Sequence, residues 1–415
     1  MTTFELIALL FTITALAGYI NHRLVKLPNA IGLMAMALGL SLGIVALGKI
    51  GIFETEKVRE LVLHIDFSNI LMHGMLSFLL FAGALHVNVS ELRKVRTMVT
   101  LLATGGVVLT VLITGSIVWV TAGWLGINLS YHYALLFGAL IAPTDPIAVL
   151  GILKNANVSR KLYSKIGGES LFNDGTGIIV FLTLLGVATT TQEPNFLDIS
   201  FLLGREVVGG LVLGFLTGWL TNRLINSIDE YKVEVLLTLA LVTGGYALAE
   251  ALHVSAPIAL SVAGLVVGNH GRMEGMSEMT RERLDVFWEL LDEILSAILF
   301  MLMGLQMILI DMSWAAIALG TMAIFATLLG RFLSVATFIN YMRLWRHHFD
   351  RGTITLMTWG GLRGGISIAL ALSLPPGQEK DLLLAITYIV VVFSIIVQGT
   401  TFGWAIRWAT APKRN

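Results

Sequence analysis

Five ionisable residues of this 415-residue sequence each sit inside a long apolar run: Asp145, Glu169, Asp174, Arg331 and Arg363. A charge at the middle of a membrane costs roughly 2.5–3.5 kcal/mol on insertion scales, and such residues mark functional sites. Glu169 and Asp174 belong to the stretch GGESLFNDGTG, residues 167–177. At about 100° per residue, Glu169, Ser170, Asn173, Asp174 and Gly177 fall within roughly 140° of one helix face. The side chains of that face offer oxygen, the donor that hard cations prefer. The face also reads as a polar seam joining packed helices. Asp145 lies in Pro143-Thr144-Asp145-Pro146. Its two prolines leave carbonyls near Ala139 and Ala142 without intrahelical partners. Lipid cannot satisfy those groups, so the break must face protein or water. There Asp145 either complements an exposed helix N-terminus or simply caps a kink.

Arg331 and Arg363 are the mid-run bases, since Arg205 stands near a helix end beside Glu206. A buried unpaired charge is very costly. Three carboxylates against two arginines leave one carboxylate over. A desolvated surplus carboxylate holds a proton or a metal cation, but not both. Two ions that compete for one such group must move in opposite directions, which is the minimum equipment for cation/proton exchange.

The elements that carry these residues follow from composition. Charged residues make up 13% of the chain and hydrophobic ones 56%, against about 25% charged in an ordinary soluble domain. This excludes a disordered chain and argues against a soluble enzyme. The 27 basic residues balance 27 acidic ones with no basic tract, so nucleic-acid binding has no support. The sequence has no cysteine, which removes disulfides, thiolate metal sites and cysteine nucleophiles. The expected fold is an all-α polytopic membrane protein of thirteen transmembrane helices. The predicted spans are 4–21, 29–48, 67–87, 98–121, 131–153, 162–189, 200–222, 233–252, 255–269, 286–309, 313–342, 353–373 and 382–406. Residues 53–66 read as an amphipathic interfacial helix. The first span has neither a basic segment before it nor a clear cleavage site, so it is kept as a helix.

With the N-terminus outside, twenty Lys and Arg residues fall on inner loops and the C-terminus, four on outer loops and three within spans. That asymmetry fits the positive-inside rule and puts the C-terminus in the cytoplasm. The chain is expected to form one membrane transport domain, 1–415. It would hold inverted repeats at about 1–190 and 232–410, joined by the helix at about 200–222. Spans 5 and 12 then correspond, and both are interrupted: the second contains Gly360-Gly361-Leu362-Arg363-Gly364-Gly365. Inverted-repeat transporters place substrate where such broken helices meet. Three weaker features remain. Gly210, Gly214 and Gly218 suggest close helix packing or a dimer contact. Asp285, Glu289, Asp292 and Glu293 form either an acidic cytoplasmic funnel or a solvated helix end. His347-His348 read as ordinary surface histidines or as pH sensors.

At these residues the chain resembles the sodium/proton exchanger family of cation:proton antiporters, in its bacterial NhaP-type branch. LFGALIAPTDPIAVLGIL looks like the family's broken helix 5, GGESLFNDGTG like its ion-binding helix 6, and WGGLRGGISIALALSLP like its helix 12. HVSAPIALSVAGLVVGN and FWELLDEILSAILFMLMGLQ are weaker echoes. The resemblance spans nearly the whole chain and implies an NhaA/NhaP-like fold with crossed broken helices 5 and 12. It implies that Asp174 is the exchanging carboxylate. Ser170, the Thr144 carbonyl, and Glu169 directly or through water would complete a Na⁺ site, with Asp145 and Asn173 holding the crossing. It pairs Glu169 with Arg331, leaving Arg363 to serve the break; a Glu169–Arg363 pair is the second choice. Asn173-Asp174 matches the electroneutral members, so one Na⁺ or Li⁺ is expected to exchange for one H⁺. A homodimer in the lipid of the inner (cytoplasmic) membrane is implied, with no cofactor and no enzymatic activity. A K⁺/H⁺ antiporter on the same scaffold is the alternative. An intramembrane aspartyl hydrolase using Asp145 and Asp174 is remote, because the arginines would quench a dyad. A passive channel is disfavoured by the buried competing carboxylate.

Overall fold

The computed structural model describes residues 3–50, 55–63, 65–145, 160–189, 196–271, 277–345 and 352–410, together with 149, 153 and 349. Pro146 and His347-His348 lie outside them. The described elements are helical, with no strand among the described residues. They are α1 (Thr3–Ile20), α2 (Asn29–Lys49), α3 (Thr55–Leu63), α4 (67–85), α5 (Val89–Trp124) and α6 (Tyr131–Ile141). Then come α7 (Arg160–Thr189), α8 (Phe196–Ile225), α9 (Tyr231–Leu252), α10 (Ala256–Asn269) and α11 (Glu278–Leu305). The chain closes with α12 (Trp314–Leu344), α13 (Thr353–Trp359), α14 (Gly365–Leu372) and α15 (Gln378–Ala409).

A helix falls on each predicted span, but nine helices among the described residues are long and apolar enough to cross a membrane. The others differ for visible reasons. The span predicted at 131–153 is described as a helix only to Ile141, and α13 and α14 are the two arms of the break at 360–364. The helix α10 is short. The first turns of α11 carry Glu278, Arg281, Glu282 and Arg283.

Caps set several helix starts, and they moved two predicted boundaries. Asn88 accepts hydrogen bonds from Ser90 and Glu91, so α5 begins at Val89 and not at 98. Ser277 caps α11, which begins eight residues before the predicted 286. In both places charged residues form sound helix; hydropathy marks the membrane-facing part of a helix, not its ends. Ser255 caps the start of α10, and Pro257 stands in its first turn. Gly268-Asn269 does not end the helical backbone, which continues as a wider turn to Gly271. The Asn269 amide donates to the Val87 and Leu265 carbonyls and accepts from the Val89 N–H, tying this end to the α4–α5 corner.

Two neighbourhoods form. The helices α8, α9 and α10 pack together and against α4, while α5, α6, α12 and α15 pack in a second group. Between them runs α7, against α5 and α6 on one side and α10 on the other. Lys165 near the start of α7 is buried, its ammonium 5.4 Å from the Phe349 ring centroid. Its stem and charge are absorbed by packing and an aromatic face.

The small residues of α8 meet α10 within the chain. A Cβ on Gly210 would stand 2.8 Å from the Ser255 carbonyl oxygen, and one on Gly218 would stand 2.9 Å from the Ala263 Cα. A Cβ on Gly214 would collide with the Ala259 carbonyl. This stripe is therefore an intramolecular contact. Gly214→Val is expected to lower the unfolding temperature of the detergent-purified protein, by forcing about 1–3 kcal/mol of overpacking. Gly204→Ala on the same helix, where a Cβ meets nothing within 4 Å, is expected to leave it unchanged.

Candidate ion-binding site

Helix α6 ends at Ile141, and the chain then runs without regular structure through Pro143, Thr144 and Asp145. The other break, residues 360–364, lies between α13 and α14. The two cross: the Asp145 N–H donates to the Leu362 carbonyl at 2.8 Å. Of the carbonyls expected to be freed by the prolines, Ala139 accepts from the Ala142 N–H. Ala142 accepts from Arg363 instead. Arg363 Nη1 donates to the Ala142 carbonyl at 2.6 Å and to the Pro143 carbonyl at 3.0 Å. The positive guanidinium thus meets the negative end of α6. Ser394 of α15 fixes the same residue by accepting the Arg363 N–H at 2.9 Å.

The acidic face of α7 points into this crossing. Glu169, Ser170, Asn173 and Asp174 are all buried, with no more than 2% of their surface exposed. Arg331 of α12 grips Glu169 with both terminal nitrogens, at 2.7 and 2.6 Å. Its Nε also donates to the Met357 carbonyl near the end of α13. Glu169 accepts as well from the Asn173 amide at 3.1 Å, and that amide also donates to the Thr144 hydroxyl at 3.2 Å. The Thr144 hydroxyl in turn donates to Ser170 at 3.0 Å. Glu169 therefore pairs with Arg331, while Arg363 Nη1 is committed to the break. A forked guanidinium matches a carboxylate in two parallel bonds, which gives this pair its fixed geometry.

Asp174 is placed differently. Its Oδ1 is buried and has no hydrogen-bond partner among the described residues, and Asn173 Oδ1 is in the same state. Asp174 and Asp145 line a small pocket walled by leucines of α4, Leu299 of α11, and Gly364, Gly365 and Ser367 at the start of α14. A Cβ on Gly364 would stand 2.6 Å from Asp145 Oδ2, so only glycine lets the carboxylate sit against this turn. Gly177 likewise admits Pro143, whose ring would be 2.6 Å from a Cβ there. A buried, unbonded carboxylate oxygen beside such a pocket is what a hard cation or a proton requires.

The structure thus brings together all eight residues singled out from the sequence: Thr144, Asp145, Glu169, Ser170, Asn173, Asp174, Arg331 and Arg363. Sequence reasoning missed Ser367 and Ser394. Ser394 carried one signal, as a hydroxyl inside the apolar run TYIVVVFSIIV. Of the acids on α11, Asp292 is half-buried, while Glu289 and Glu293 are exposed. Asp285 lies 3.9 Å from His86.

Helices broken at a crossing, with buried carboxylates and arginines among apolar spans, mark an ion-transporting membrane protein. The chain belongs to the family described as sodium/hydrogen exchanger, transmembrane, whose model matches residues 10–408. It is 48% identical over 412 residues to the Na⁺/H⁺ antiporter NhaP of Pseudomonas aeruginosa, covering 97% of this chain and 96% of that one. It is 34% identical over 404 residues to the Na⁺/H⁺ antiporter NhaH of Halobacillus aidingensis, covering 95% and 94%. Its fold resembles a solved sodium proton antiporter of Methanocaldococcus jannaschii, with a TM-score of 0.73 at 20% identity over 98% of both chains.

Removing Arg331 strands Glu169. Arg331→Met is expected to destabilise the protein by about 3–5 kcal/mol, the usual consequence of leaving a buried charge unpaired. The loss should be read as a large drop in unfolding temperature. Glu169→Gln combined with Arg331→Met should recover much of it, because no charge is then left buried.

Proposed function

We propose that the protein is an electroneutral secondary antiporter, exchanging one Na⁺ or Li⁺ for one H⁺ by alternating access. The observation that carries this reading is the asymmetry between the carboxylates of α7. Glu169 is neutralised by Arg331; Asp174 keeps a buried oxygen free at the crossing, facing a cavity. In this reading Asp174 binds H⁺ or the cation in turn. Ser170, the Thr144 carbonyl and Asp145 complete the cation's oxygen shell. Glu169 orients Asn173, and Arg363 holds the broken end of α6. The named activity of the two relatives supports sodium as the substrate.

The wider arrangement belongs to the same proposal. The protein sits in the cytoplasmic membrane as a homodimer with its N-terminus outside. Its inverted repeats span about 1–190 and 232–410, and the core that carries the crossing, α6, α7, α13, α14 and α15, moves against the remaining helices, which form the dimer interface. Competition for one carboxylate gives the mechanism its direction: a cation can leave on one side only when a proton or another cation replaces it.

Reconstituted vesicles test this. Asp174→Asn should insert and fold, yet abolish Na⁺-driven recovery of a quenched pH dye; retained exchange would remove Asp174 from the mechanism. An imposed membrane potential should leave the wild-type rate unchanged, since one-for-one exchange moves no net charge. A cation ligand must be deprotonated. The half-saturating Na⁺ concentration should therefore rise as pH falls, approaching tenfold per pH unit, with an unchanged maximal rate. A panel of Na⁺, Li⁺ and K⁺ in the same assay separates sodium from potassium exchange.

A further inference from the structure

One face of α11 runs from the start of the helix towards Asp174. At about 100° per residue, Asp285, Glu289, Asp292, Ser296 and Leu299 fall within roughly 80° of one another. The row ends at the pocket, which Leu299 lines together with Asp145 and Asp174. There Leu299 packs against α14, where a Cβ on Gly365 would stand 2.6 Å from Leu299 Cδ1. Ser296 stands one turn before Leu299, and Asp292 two. Burial rises along the row, from exposed Glu289 through half-buried Asp292 to Ser296, which is 6% exposed. In the orientation proposed above, α11 starts at the cytoplasm, so this face leads from water to the pocket.

Two oxygens of this face are without a partner. Asp292 Oδ1 and Ser296 Oγ are each buried and unbonded among the described residues. Ser296 is the telling member. Hydroxyls of these helices commonly donate to the carbonyl four residues back, as Thr183, Thr243 and Ser261 do. For Ser296 that carbonyl belongs to Asp292, and the bond is not made. Side chains tilt towards the start of a helix, so Ser296 leans over the turn that carries Asp292. Residues four apart are surface neighbours, with about 5–6 Å between their Cβ atoms. Asp145, Glu293 and Glu289 all repel the charge of Asp292. A carboxylate so placed, beside an unbonded hydroxyl oxygen, suits a hard monovalent cation. We propose that Asp292 and Ser296 form a second cation site on the cytoplasmic side of Asp174. It takes Na⁺ or Li⁺, still partly hydrated, before the ion reaches the crossing. The proposal rests on the exchange reading of Asp174. Asp292 supplies the charge and Ser296 the innermost oxygen, while Asp285 and Glu289 draw cations to the row.

Thallium(I), a heavy monovalent cation, tests the site by anomalous scattering from crystals of the purified full-length protein. The unaltered protein should show one peak at Asp174 and another between Asp292 and Ser296. Asp174→Asn should keep only the second, and Asp292→Asn only the first. In oriented vesicles, Asp292→Asn should raise the half-saturating Na⁺ concentration at the cytoplasmic face about three- to tenfold, the effect of deleting one charge beside the path. Asp292→Glu, which keeps the charge, should restore it. No peak at Asp292 in the unaltered protein or in Asp174→Asn overturns the proposal and leaves the acids as a water-filled approach. So does an unchanged half-saturating concentration in Asp292→Asn. A peak at Asp292 with none at Asp174 would keep this site and overturn the exchange reading instead. Should either variant fail to fold, the peaks of the unaltered protein decide alone.

Discussion

Every backbone N–H and C=O inside a bilayer must be bonded within the protein, and the two interrupted helices release several of them at the centre. The rest of the structure is arranged around that debt. The N–H of Asp145 goes to Leu362, so each break supplies part of what the other lacks. Arg363 takes the carbonyls of Ala142 and Pro143, and Arg331 takes that of Met357. The two arginines thus stand in similar relation to the two breaks, each near the carbonyl end of a helix that stops in the membrane. Glu169 is the partner that lets Arg331 be there.

From this follows the separate character of Asp174. A charge network in a low-dielectric core is stable only when its members are satisfied. The Arg331–Glu169 pair and the bonds of Asn173 and Thr144 close on themselves. Asp174 lies at their edge with an oxygen to spare.

Some of this was legible in the residues. The proline-flanked Asp145 and the glycine-rich stretch around Arg363 announced interrupted helices. The spacing of Glu169, Ser170, Asn173 and Asp174 placed them on one face, because helical periodicity is a local property. Counting charges in apolar runs gave one carboxylate more than the arginines. The misplaced starts of α5 and α11 show the limit of the same method, since polar turns held by Asn88 and Ser277 extend a helix beyond its apolar part. The burial of Lys165 shows it again: near a helix start it is buried, and an aromatic neighbour distant in sequence lies near its ammonium.

The sequence by itself determined that the chain is helical and membrane-embedded, where it is interrupted, and which few side chains carry charge into the apolar interior. Composition and local spacing suffice for these, because they depend on transfer from water to lipid and on the pitch of a single helix. The tertiary structure decided the partners. Glu169 could have met either arginine; the placement of α12 beside α7 gave it Arg331, and the crossing claimed Arg363 for the end of α6. The same long-range packing put the glycines of α8 against α10 and left Asp174 with an unbonded oxygen. Pairing between residues more than a hundred positions apart is fixed by how helices dock, and no local pattern encodes that.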